Sequence, residues 1–191
     1  MAMTRALRQP TIRILCGAGL ALCAMVPARA AVEYPLSLTL DATAKTETLT
    51  IAATLNVRVD RLMLETRHKR VTDALTHSGY GSFMTALRSL PPVGTIALKD
   101  RSVEIRYAHE QPEASGRRLL LVADRPLFFD GDPARNRTGY ELTIVELHFD
   151  AQGAIKGRMM GAARVKPSPD GPVVDNFASV EVQLTARSPR P

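Results

Sequence analysis

Residues Arg117 to Asp130 read RRLLLVADRPLFFD: five consecutive apolar residues, then a charged pair, a proline and two phenylalanines. The run from Leu119 to Ala123 reads as an apolar strand, and Asp124-Arg125-Pro126 ends it. A second strong segment, YELTIVELHF from Tyr140 to Phe149, follows a stretch of turn formers at Asp130 to Gly139 and has apolar residues on both parities, which suits a central strand covered on two sides. Upstream, Val103, Ile105 and Tyr107 alternate in a strand that carries His109 on the same parity. The three segments are expected to form an antiparallel meander at the centre of one sheet.

The chain begins differently. Arg5, Arg8 and Arg13 precede an apolar run from Ile14 to Val26, and Ala28-Arg29-Ala30 places small residues where a signal peptidase reads. The run is shorter than the roughly 20 residues a membrane-spanning helix needs. Residues 1–30 are therefore expected to be a signal peptide, residues 31–186 one β-rich domain, and residues 187–191 a disordered tail. Export to the periplasm or the outside of a bacterial cell follows, with no transmembrane segment in the mature chain. Both cysteines, Cys16 and Cys23, lie in the signal, so the mature chain has no disulfide and no thiolate. Four of the 25 Lys and Arg and none of the 19 Asp and Glu also lie there, leaving 21 against 19, a net charge of +2. Nucleic acid is excluded as a partner, because binding it requires a concentrated basic face.

Alternation at Val32 to Leu40 and again at Leu49 to Val59 reads as a hairpin, with Pro35 placing the first strand at a sheet edge. Spacings of three, four and seven over Leu64, Val71, Leu75, Phe83, Leu87 and Leu90 are helical. The segment THSGYGS (76–82) divides this region into two short helices, with Ser82 as an N-cap for the second. Pro91-Pro92 ends it. Short strands follow at Val93 to Leu98 and Val103 to His109. After the turn at Asp150 to Gly153 comes Ile155 to Val165, whose Gly157, Gly161 and Ala163 leave room for close approach. Val180, Val182 and Leu184 close the sheet. The fold class is α+β, mainly β: an antiparallel sandwich or barrel with a short helical pair between strands 2 and 3.

Leu90-Pro91-Pro92-Val93-Gly94-Thr95-Ile96, Tyr107-Ala108, Gly116-Arg117-Arg118, Ala123-Asp124-Arg125-Pro126 and Ile144-Val145-Glu146-Leu147 carry a resemblance. Together they resemble an uncharacterised family of small exported bacterial proteins, with a fainter match at Asn176-Phe177. Ser115 stands where that family has the first of two glycines, and the loop before Tyr140 departs from its pattern. The resemblance implies one continuous domain and carries over no catalytic residue.

The residues suggest two functions. The first is an exported binding or interaction module for an apolar small molecule or a protein, with a pocket framed by Tyr107, Arg125, Phe128, Phe129 and Tyr140. The second is a metal-assisted or acid–base enzyme. In a meander His109 and His148 lie at the same end of the sheet, with Glu110 and Asp150 nearby. His68, on the flank of the helical stripe, and His77, in the break, have no partner that spacing names. Asp130-Gly131-Asp132 with Asn136 supplies oxygen ligands without completing a calcium loop, and these residue types are those of any turn. Asn136-Arg137-Thr138 fits a glycosylation acceptor. Arg125 is expected to bond a carboxylate such as Asp124 or Glu146. No phosphate loop, nucleophile elbow or zinc-protease helix is present, and no cofactor is called for.

Overall fold

The structure, a computed structural model, describes residues 33–128 and 139–186. The signal-like residues 1–30, Phe129, the segment 130–138 with its calcium-like and glycosylation motifs, and the tail 187–191 lie outside these. Among the described residues are strands β1 (Leu36–Lys45), β2 (Thr50–Val59), β3 (Gly94–Leu98), β4 (Arg101–Glu113), β5 (Gly116–Ala123), β6 (Leu142–Asp150), β7 (Ile155–Ser168), β8 (Gly171–Phe177) and β9 (Glu181–Ala186). One helix, α1 (Glu65–Arg88), follows β2.

The protein is mainly β, and the architecture is a barrel. Strands pair in the order β6-β5-β4-β3-β2-β1-β9-β7, and β7 pairs again with β6, which closes eight strands into a ring; every pairing is antiparallel. The expected meander of β4, β5 and β6 is present within it. Closure leaves no strand edge in the ring, and this corrects the edge position read from Pro35. Strand β1 is bonded on both sides, to β2 and β9, and Pro35 stands just before it, where its missing N–H removes nothing from the ladder.

Residues pointing inward are apolar: Leu40, Leu55, Val57, Ile105, Leu121, Val145, Leu147, Met159 and Leu184 are each at most 1% exposed. Those alternating with them on β1 and β2, such as Ser37, Thr39, Asp41, Asn56 and Arg58, are polar and exposed. This polarity is the reverse of a membrane barrel, which is apolar outside and polar within. No helix of the described residues is long and apolar enough to cross a membrane.

One sector of the outer wall is also apolar, which explains the double parity of β5 and β6. Leu120, Val122, Leu142 and Ile144 face outward into a second core against Val71, Leu75, Phe83 and Leu87 of α1. Two short helices were expected here; one helical span is found, broken at Gly79, whose φ of 79° and ψ of −177° are not helical. Helix resumes at once after this residue, so Ser82 lies within α1 and not at its start. Glycine adopts that φ without steric cost and kinks the span over the curved wall.

Strand β8, which the alternation did not reveal, bonds only to β7. Between the part of β7 that faces β9 and the part that faces β8, the Ser179 hydroxyl accepts from the Gly161 and Ala162 amides and holds a bend. Beyond it the β7–β8 hairpin leaves the ring and crosses the outer wall, so that Gln111 of β4 donates to the Asp170 carbonyl at its turn. What approaches the thin strand β7 is the chain itself. A Cβ on Gly157 would stand 2.1 Å from the Glu146 carbonyl oxygen, and one on Gly161 would stand 2.6 Å from the Phe128 ring.

Candidate functional site at the helix and barrel seam

The site begins with one extra residue in β4. Pairing with β5 runs Ile105↔Ala123 and then Tyr107↔Val122, so the register shifts at Arg106. Such a bulge reverses the parity of everything that follows it. Val103 and Ile105 point into the barrel, whereas Tyr107 joins the outer core and Ala108 takes the inner position. His109 is thereby turned out towards α1, away from the face that unbroken alternation with Val103 and Ile105 would give it.

The first two turns of α1 meet it there. Glu65, His68 and Thr72 are spaced three and four apart and share one helix face, and His68 precedes buried Val71 and Leu75 by three and seven. The Met63 amide donates to the Ala108 carbonyl at 3.0 Å and anchors the helix start to β4. His68 and His109 stack face to face, with centroids 3.8 Å apart and planes 7° from parallel. Tyr107, 0% exposed, has its hydroxyl 2.9 Å from His68 Nδ1. Glu65 is 3.9 Å from His109 Nε2. On the third side is the β7–β8 turn. Gly171, at a φ of 113°, lies so close that a Cβ there would be 3.2 Å from both His68 Cε1 and the Tyr107 hydroxyl. Arg118 donates to Gln111, which donates to the Asp170 carbonyl, fastening the turn to β4 and β5.

Burial lowers the pKa of His109 below its ordinary 6.5, the neighbouring His68 lowers it further, and Glu65 only partly offsets both. The Tyr107 hydroxyl is pushed far up, first by burial and then by Glu65, so it stays protonated. Two buried polar atoms of the seam have no hydrogen-bond partner among the described residues: His109 Nδ1 and Thr72 Oγ1. Such atoms are uncommon in folded proteins. A metal ion does not fit the stacked pair, because an imidazole lone pair lies in the ring plane and no single ion lies in two parallel planes. Among the described residues no group of three His, Cys, Asp or Glu is arranged to hold one.

The residues singled out from sequence are dispersed. His148, about half exposed, has Nδ1 2.9 Å from Glu113 and does not join His109. Glu110 receives a hydrogen bond from Tyr34 and pairs with Arg117 at one barrel end, and Asp150 caps its own turn by accepting from the Gln152 and Ala154 amides. Of the five pocket residues, Tyr107 lies under the helix, Phe128 packs beside Gly161 against the inner core, and Tyr140 accepts from Asn176. Arg125 is exposed, and its carbonyl accepts from Thr143; Phe129 lies outside the described residues. The expected carboxylates have other cations: Asp124 faces Arg106 at 3.8 Å and Glu146 binds Arg158 at 2.6 Å. His77 is exposed on α1.

Sequence reading found Tyr107 and His109 but missed Glu65, His68, Thr72 and Arg118. A signal for His68 was present, since it occupies the buried stripe of α1. Comparison with protein-family models, with curated proteins and with solved structures finds no match for this chain.

Proposed function

We propose that this chain is an exported binding module whose ligand site is the seam between α1 and the outer barrel wall. One observation carries the reading: a stacked, tyrosine-anchored imidazole pair beside two buried polar atoms, His109 Nδ1 and Thr72 Oγ1, that have no partner among the described residues. The chemistry favours a small polar molecule able to bond an imidazole nitrogen and a hydroxyl. An apolar ligand inside the barrel, the expectation from composition, has less support, because inward positions are filled by the chain's own side chains. The acid–base reading that joined His109 to His148 is also weakened, since each histidine has its own carboxylate. Export rests on the signal-like residues 1–30 and on the family resemblance.

Native mass spectrometry of the exported protein, purified without chelator, tests the site. A bound mass of a few hundred daltons or less, absent from the Thr72→Val variant, is the expected result. A bare mass, or a bound mass that the variant retains, overturns the assignment.

A further inference from the structure

We propose that the β7–β8 turn is an acid-released clasp over this seam, closed at neutral pH and lifted when His109 takes up a proton. The inference rests on the seam being the ligand site only for its purpose; the clasp itself stands on geometry. The turn is held from three directions. Gln111 of β4 donates to the Asp170 carbonyl and is itself held by a donor from Arg118 of β5. The Ser168 hydroxyl donates to the Gly171 carbonyl at 2.9 Å and shapes the turn. A Cβ on Gly171 would stand 3.2 Å from both His68 Cε1 and the Tyr107 hydroxyl, tighter than ordinary contact, and its φ of 113° favours glycine.

His68 therefore touches the clasp on one side and the His109 ring on the other. The stack is compatible with two neutral rings and resists a charge. Facing His109 are His68 and Glu65 from α1, Tyr107 on its own strand and Arg118 from β5. Of these, only Glu65 favours a cation, and at 3.9 Å with its side chain 81% exposed it is screened by water. A protonated His109 would sit against the His68 ring face and be opposed by the Arg118 charge, with 19% of its side chain reaching solvent. Swinging outward relieves it, unstacks His68 and removes the surface on which Gly171 rests. Repulsion by the new charge also disturbs Arg118, the guanidinium that orients Gln111 on the turn.

The sign is unambiguous. The closed state holds His109 with its pKa lowered, so the open state binds more protons, and closure weakens as pH falls below about 6.5. Each unit by which closure depresses that pKa is worth about a tenfold change in the open fraction. The apolar root of the hairpin, with Ala163 and Val165 buried and Val174 paired to Val165, is unaffected, so the movement belongs to its outer part, from Lys166 to Val173.

Amide hydrogen exchange on the ligand-free protein, corrected for the intrinsic effect of pH, reads the clasp directly. Between pH 7.5 and 5.0, amides in 166–173 are expected to lose protection by about tenfold or more. Those of β2 and β3 are expected to keep theirs. His109→Gln, which cannot take a proton, should abolish the pH dependence. His68→Gln, which removes the ring under Gly171, should leave the turn open at both values. Equal protection of 166–173 at the two pH values, or a pH dependence that survives in His109→Gln, overturns the clasp. If His109→Gln does not fold, the His109 imidazole protons in the unaltered protein decide: a titration midpoint at or above 6.5 overturns it. The exchange experiment involves no ligand, so a clasp that responds while the mass is bare refutes only the ligand site.

Discussion

The imidazoles of His68 and His109, 41 positions apart in the chain, lie 3.8 Å apart and 7° from parallel between α1 and β4. Neither ring is held by its own element alone. The helix presents His68 because it lies on the same stripe as Val71 and Leu75, and the strand presents His109 because a bulge has reversed its parity.

The first prediction concerns acid. In the folded protein burial and His68 hold the His109 pKa below 6.5, whereas the unfolded chain leaves it near that value. The unfolded state therefore binds more protons, and the stability associated with neutral His109 is complete above pH 6.5 and declines as pH falls through that value. Urea unfolding of the unaltered protein and of His109→Gln at pH 7.5 and 5.5 is expected to show a larger loss for the unaltered chain. Parallel losses would refute the assignment.

Removing the Tyr107 hydroxyl tests the anchor of the pair. Tyr107→Phe keeps the ring in the outer core and deletes the bond to His68 Nδ1. A cost of about 0.5–1.5 kcal/mol is expected from the lost bond. Equilibrium unfolding measures the cost, and a shift of the His68 ring protons should accompany it. A neutral substitution with an unchanged His68 spectrum would mean the contact is not formed in solution.

Ser179 makes a test of the bend that sends the β7–β8 hairpin across the wall. It is 7% exposed and its hydroxyl is the acceptor for the Gly161 and Ala162 amides. Ser179→Ala deprives both amides of that acceptor and is expected to cost about 1–3 kcal/mol. Loss of hydrogen-exchange protection at residues 161 and 162, ahead of global unfolding, would locate the effect.

Gly157 tests barrel closure. It opposes Leu147 in the β6–β7 pairing that completes the ring, and a Cβ there would stand 2.1 Å from the Glu146 carbonyl oxygen. Because the obstacle is backbone, relief requires the two strands to part. Gly157→Ala is expected to destabilise by about 1–3 kcal/mol or more. Thermal unfolding at the same ionic strength as the unaltered protein gives the comparison, and an unchanged midpoint would argue against the pairing.

Much of the scaffold was legible because burial period follows local geometry. Alternation marked β2, β3 and the start of β4, the double parity of β6 announced two covered faces, and both cores are present. Gly79 marked the kink in α1, although the helix resumes directly after it. Strand β8 stayed hidden because Pro172 and the polar run Asp175-Asn176 interrupt its alternation, and its partner is a strand that also serves the ring. Pro35 misled because it marks where a strand begins as readily as where a sheet ends.

Residue type and local spacing settle the apolar faces, the absence of cysteine chemistry in residues 31–191 and the helical stripe flanked by His68. Closure of the sheet, the exit of His109 from the barrel's inner face and its meeting with His68 instead of His148 come from tertiary contacts. The reason is physical: one unpaired residue at Arg106 inverts a whole strand end, and whether a strand accommodates such a bulge depends on the register of its neighbours and the curvature of the closed ring.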